Sequence, residues 1–148
     1  TYDLYEIVET EALRFEAIAL KNHLKLQITN SSQEYPIQAD ALKLSQVIRN
    51  LLSNAVNHTQ DGGIIKVSVE QMADGYKVSV INPGEPIPEE DQALIWERYQ
   101  RSQHQGARRQ GTGIGLSIVS SILDAHGMSY GVDCNHGLIC FWFLWHIS

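Results

Sequence analysis

The 148-residue chain has only two cysteines, Cys134 and Cys140. Two thiols without metal-ligand spacing fit a reducing compartment better than a disulfide scaffold. Long apolar runs are missing: no stretch approaches the roughly 20 residues of a membrane-spanning helix, so direct membrane insertion of this chain is not expected. Positive charge is scarce, with 11 Lys and Arg against 17 Asp and Glu and a net charge of −6. That balance argues against a general nucleic-acid binder, which needs a basic face to neutralise phosphates. Of the four prolines, three (Pro83, Pro86 and Pro88) fall in one short stretch. The opening Thr1-Tyr2-Asp3 is neither a start nor a signal sequence, so the chain is expected to be a piece of a longer protein.

What is present suits one globular domain spanning 1–148, able to bury a full core without staples. Ile7, Val8, Ala12, Phe15, Ala19 and Leu20 recur at helical spacing and predict a helix over 5–22 with one buried face. Leu24, Leu26 and Ile28 alternate with polar residues, as in a short strand, and a brief extended piece follows at 37–39. Asp40 is a good N-cap for a second helix reaching His58, with Leu44, Val47, Ile48, Leu51, Leu52 and Ala55 as its apolar face. After Asp61-Gly62-Gly63, alternation at Ile65, Val67, Val69 and at Val78, Val80 predicts an antiparallel hairpin with its turn at Asp74-Gly75. The prolines are expected to stop its second strand at Asn82. Pro88 and three acidic residues then predict a short helix over 88–96.

Residues 100–110 are polar and aperiodic, which reads as a mobile lid loop. A third long helix is expected from Gly111 to about His126. Two strands at 130–134 and 138–147, joined at Asn135-His136-Gly137, close the chain. The sum is an α+β fold: a two-layer sandwich with a mixed sheet of about five strands and three long helices on one face.

Three segments carry candidate chemistry. Asn50, Asn54 and Asn57 share one face of the second helix, with His58 beside them. Alone this is a solvated stripe; as a site, amide oxygens can ligate Mg²⁺ while amide NH₂ groups donate to phosphate oxygens. Gly111-Thr112-Gly113-Ile114-Gly115-Leu116 lets backbone N–H groups approach phosphates at a helix start. It follows a loop containing Arg108 and Arg109 rather than a strand, so it is not a dinucleotide fingerprint, and no lysine-bearing phosphate loop occurs in the chain. The third segment, Val80 to Pro88, is a strand ending in a glycine turn.

In their order and spacing these segments resemble the histidine-kinase-like ATPase family, whose fold is called the Bergerat fold. Residues 50–59 look like its asparagine box and 82–88 like its first glycine box. Residues 96–101 look like its aromatic box and 111–116 like its second glycine box. Hydrolysing members and anti-sigma kinases typically carry a glutamate base four residues before the magnesium asparagine. Here that position is Asn50, as in sensor histidine kinases, and Gly113-Ile114-Gly115-Leu116-Ser117-Ile118-Val119 is also similar to theirs.

The resemblance implies that Asn54 ligates Mg²⁺ and that Asn50 supports the phosphate or metal shell. ATP would also be held by Asn57, His58, Asn82, Gly84 and Ile87. Gly111, Thr112, Gly113, Ile114, Gly115 and Leu116 would meet the phosphates, Tyr99 would anchor the lid, and Arg101 would reach the terminal phosphates. His126 and Gly127 are read as structural. Three positions depart from the family pattern. Asn82 replaces an aspartate that accepts from the adenine amino group, a variant also found in sensors resembling the vancomycin-resistance kinases. Its oxygen can still accept, and its NH₂ could donate to the neighbouring ring nitrogen or, after rotation, to a keto group. Pro86 replaces a glycine, and Asn57 stands where many members have a phosphate-binding lysine.

The implied activity is that of an ATP-dependent protein-histidine kinase catalytic domain, a cytoplasmic part of a membrane-anchored sensor. None of the six histidines lies in a His-Glu or His-Asp pair. The phosphoacceptor is therefore expected on a separate dimerisation domain of the same parent kinase, with a response regulator downstream. The rival readings are a nucleotide-sensing module that transfers no phosphate and an ATP hydrolase of the same fold.

Overall fold

The computed structural model describes residues 1–29, 33–97 and 115–147. The first helix, α1 (Leu4–Lys21), is capped by Asp3, whose carboxylate accepts from the backbone N–H groups of Tyr5 and Tyr35 at 3.1 Å each. The second bond draws in a feature the sequence does not announce: β1 (Tyr2–Asp3) pairs antiparallel with β3 (Pro36–Ile37) in a separate two-stranded ribbon. Helix α2 (Ala41–His58) begins as expected at Asp40, which accepts from Lys43 N–H at 3.2 Å.

The main sheet has five strands. They are β2 (Lys25–Ile28), β4 (Ile64–Gln71), β5 (Gly75–Pro83), β6 (Ser129–Asn135) and β7 (Leu138–His146), in the order β2-β4-β5-β7-β6. The β2–β4 pair is parallel and the other pairs are antiparallel, so the sheet is mixed as expected. One face buries Ile65, Val67, Val69, Val78, Val80, Ile139, Phe141 and Phe143 in a single core with the apolar stripes of the helices. Helix α2 touches both α1 and α3, the latter described over Gly115–Ala125.

Several boundaries differ from expectation. Strand β5 includes Pro83, opposite Leu138: at the last position of a strand the missing N–H is least needed. Gly75 opens β5 rather than completing the turn. It lies where β7 comes close, since a Cβ there would sit 2.2 Å from the Trp145 carbonyl oxygen. The short helix expected over 88–96 is instead two separate 3₁₀ turns, Glu89–Asp91 and Leu94–Trp96, closed by Asp91 N–H to Pro88 O and Glu97 N–H to Leu94 O. So short a segment gains too little to pass the costly nucleus of an α-helix.

Helices α1 and α3 end in the same motif. In α3, Gly127 (φ +70°) lets Met128 N–H reach Leu123 O at 2.9 Å; in α1, His23 (φ +61°) lets Leu24 N–H reach Ala19 O at 2.9 Å. His126, just after α3, has its Nδ1 2.8 Å from Ile122 O. No helix among the described residues is long and apolar enough to cross a membrane. Cys134 and Cys140 are free and sit opposite Ile139 and Asp133, on opposite faces of the hairpin.

Candidate functional site

The site is built where β5 leaves the sheet. Asn82 is the penultimate residue of β5 and its inward side chain is only 1% exposed. The amide is anchored at one end: Nδ2 donates to the carbonyl oxygen of Pro83 at 3.0 Å. Its other end, Oδ1, is buried and accepts no hydrogen bond among the described residues. A buried amide oxygen without a donor is costly, and its usual explanation is a ligand or water that supplies one.

The neighbours of Asn82 in the sheet are apolar. Asn82 lies opposite Ile139 on β7, which lies opposite Cys134 on β6, so the three side chains form one inward row. The chain after β5 arcs over this end of the sheet and is fastened at several points. Gly84 N–H donates to Gly137 O at 3.0 Å, and Ile87 N–H points to Cys134 Sγ at 3.4 Å. Gln92 Nε2 donates to Ile87 O at 3.0 Å. Ile87 itself is buried. Gly84 lies close to the same row: a Cβ there would lie 2.9 Å from Ile139 Cδ1 and 3.7 Å from Asn82 Nδ2.

Helix α2 packs on β5 and supplies the second wall. Asn50, Asn54, Asn57 and His58 are all half-buried along it. Asn50 Nδ2 donates to the backbone oxygen of Gly115 at 3.4 Å, which joins the asparagine stripe to the first described turn of α3. Leu116 is half-buried against the core. Tyr99, Arg101, Gly111, Thr112, Gly113 and Ile114 lie outside the described residues, as does the 100–110 segment.

On the near side of that segment, Trp96 is held by Ser120 Oγ donating to its carbonyl oxygen at 3.1 Å. Its ring meets Tyr130 and Phe141 edge-on, with centroids 4.9 and 5.7 Å away. Burial, then the neighbouring Asp124 carboxylate, push the Tyr130 hydroxyl above its ordinary pKa, so it stays a donor to Asp124 at 2.9 Å.

Four contributors were not anticipated from sequence: the Pro83 carbonyl, Ile139, Cys134 and Ser120. The first is a backbone group, which side-chain motifs do not report. The other three read as ordinary strand or helix residues until pairing places them. A further buried charge, Glu11 at 3% exposure, bridges α1 to α2 through Arg49 Nε at 3.2 Å, beside Asn50.

Comparison with known proteins agrees with this arrangement. The family described as histidine kinase-, DNA gyrase B-, and HSP90-like ATPase matches residues 39–146. The sensor protein IrlS of Burkholderia pseudomallei is 34% identical over 146 residues, covering 96% of this chain and 30% of that protein. The sensor histidine kinase CusS of Escherichia coli O157:H7 is 36% identical over 122 residues, covering 82% of this chain and 25% of that protein. This chain thus spans less than a third of either relative. Among solved structures, the catalytic domain of histidine kinase ThkA superposes with a TM-score of 0.84 at 31% identity, covering 96% of this chain and 91% of that one. The chain belongs to the histidine kinase-, DNA gyrase B-, and HSP90-like ATPase family, and its relatives there are sensor histidine kinases.

Proposed function

We infer that this domain binds Mg·ATP and donates the γ-phosphate to a histidine on a separate dimerisation domain of the same parent kinase. The observation that carries the reading is the buried Oδ1 of Asn82, which accepts no hydrogen bond among the described residues and lies beside the apolar side chain of Ile139. An adenine amino group is a donor of the right kind on a flat apolar ring, and the buried Ile87 and Ile139 make this end of the sheet apolar.

The asparagine stripe supports the phosphate end. Among the described residues no group of three His, Cys, Asp or Glu could hold a metal ion. A Mg²⁺ here would be shared between the Asn54 amide oxygen and the nucleotide's own phosphates, a mode Mg²⁺ favours because it keeps several waters. Bound, it would neutralise phosphate charge. Asn50 holds Gly115, and Asn57 and His58 lie two turns further along α2, on the side proposed for the phosphates. Asn50 is an amide and takes no proton, so this chain positions ATP without activating water. The attacking nitrogen comes from elsewhere, and a response regulator then receives the phosphate. The whole protein would be a membrane-anchored sensor with this domain on its cytoplasmic side.

The test is to mix residues 1–148 with a separately produced dimerisation domain from a relative and γ-labelled ATP. Label on that domain's histidine, dependent on Mg²⁺ and lost with Asn54→Ala, is the expected result. No label on any histidine, despite measured ATP binding, would sink the kinase reading and leave a nucleotide-binding module.

A further inference from the structure

Asparagine can present either end of its amide to a ligand, so an Asn82 free to rotate would read a 6-amino and a 6-keto purine about equally. The geometry around it removes that freedom. Nδ2 lies 3.0 Å from the Pro83 carbonyl oxygen, and the side chain is 1% exposed. Rotating the amide would bring Oδ1 to the place of Nδ2, setting two acceptors about 3 Å apart with no proton between them. Pro83 has no backbone N–H of its own to offer as a compensating donor. Its carbonyl follows Asn82 directly at the end of a paired strand, where Pro83 lies opposite Leu138 and Gly84 N–H is tied to Gly137 O, so the carbonyl is itself held in place.

We propose that the Pro83 carbonyl is a specificity-determining group. It locks the Asn82 amide with its oxygen toward the base, so the pocket accepts a donor at the purine 6-position and rejects an acceptor there. This rests on the functional reading above and sharpens it in a direction opposite to the simple expectation for an asparagine. It has a second consequence. A carboxylate at position 82 would keep the acceptor for the base, yet place its second oxygen, unprotonated, against the Pro83 carbonyl. This pocket is therefore built for the amide. Asn82→Asp should weaken nucleotide binding, although a charged acceptor normally makes the stronger hydrogen bond.

The experiment is calorimetric binding of ATP, inosine triphosphate and purine riboside triphosphate (which lacks the 6-amino group) to residues 1–148, wild type and Asn82→Asp. With the lock, wild type binds both analogues roughly tenfold or more weakly than ATP, since each leaves Oδ1 without its donor. Asn82→Asp, checked as folded by circular dichroism, binds ATP at least about tenfold more weakly than wild type. Inosine triphosphate binding as tightly as ATP would show that the amide rotates and would overturn the proposal, as would Asn82→Asp matching or exceeding wild type. If the variant does not fold, the wild-type series decides alone. Failure of wild type to bind ATP at all would remove the functional reading and this one with it, whereas ATP binding without base discrimination removes only the lock.

Discussion

Asn50 Nδ2 and the carbonyl oxygen of Gly115 lie 3.4 Å apart across the α2–α3 junction. The bond is long, so its own contribution to stability is small, below about 1 kcal/mol. The sign of the charge at that position matters more. Asn50→Asp turns a donor into an acceptor facing a carbonyl, and should lower the melting temperature by a few degrees more than Asn50→Ala does, roughly 1 kcal/mol of added cost. Equal melting temperatures for the two variants would mean that the contact does not hold α3 to α2.

Asn54→Ala is expected to abolish magnesium-dependent ATP binding while leaving the circular dichroism spectrum and melting temperature close to wild type, because the side chain is half-buried and outside the apolar stripe of α2. Titration by calorimetry with and without Mg²⁺ reads this. Unchanged Mg·ATP affinity would remove Asn54 from the metal site.

Gly75 and Gly84 should respond differently to alanine. At Gly75 the new methyl meets backbone, 2.2 Å from the Trp145 carbonyl oxygen, so β5 and β7 must part and the fold should lose upwards of about 2 kcal/mol. At Gly84 it meets the far end of the Ile139 side chain at 2.9 Å, which can turn. Gly84→Ala should therefore keep most of its stability and lose nucleotide affinity, because the Ile139 side chain turns beside Asn82. Urea melts alongside ATP titrations distinguish the two. Weak ATP binding by neither variant, or unfolding of both, would contradict the assignment.

The end of α1 can be improved. His23 holds the left-handed conformation that Gly127 holds at the matching position of α3. His23→Gly should stabilise the domain by about 0.5–1 kcal/mol in urea denaturation, since the native backbone is already one that glycine adopts without strain. A loss of stability would mean that the His23 side chain makes a contribution larger than the strain it imposes.

How much of this could be read from the residues follows from the range of each interaction. The Asp40 cap, the apolar stripe of α2 and the alternation in β4 and β5 are local, and all three stand in the structure where the pattern places them. The four-segment order was enough to identify the family. The β1–β3 ribbon was not legible, because two residues per strand are too few to show a period of two. Nor was the burial of Glu11, a charge on a helix face that reads as solvated until Arg49 arrives from 38 residues away. At the site, the sequence pattern offers Asn82 as a candidate base reader, but the orientation of its amide depends on a carbonyl, and backbone groups leave no mark in a side-chain pattern. The two 3₁₀ turns differ from the expected helix because acidic residues after a proline signal a first turn without saying whether a second follows.

The central claim is that this chain delivers phosphate to a histidine and not to water. General-base assistance typically contributes about 10²–10⁴-fold, and Asn50 cannot supply it. The decisive measurement compares ATP turnover by residues 1–148 alone with transfer in the presence of a dimerisation domain carrying a His-Glu pair. Hydrolysis near background alone, with phosphate appearing on the added histidine, is the predicted result. Brisk multiple-turnover hydrolysis by the isolated chain, lost on Asn54→Ala, would contradict the account and place the domain among the hydrolases of its fold.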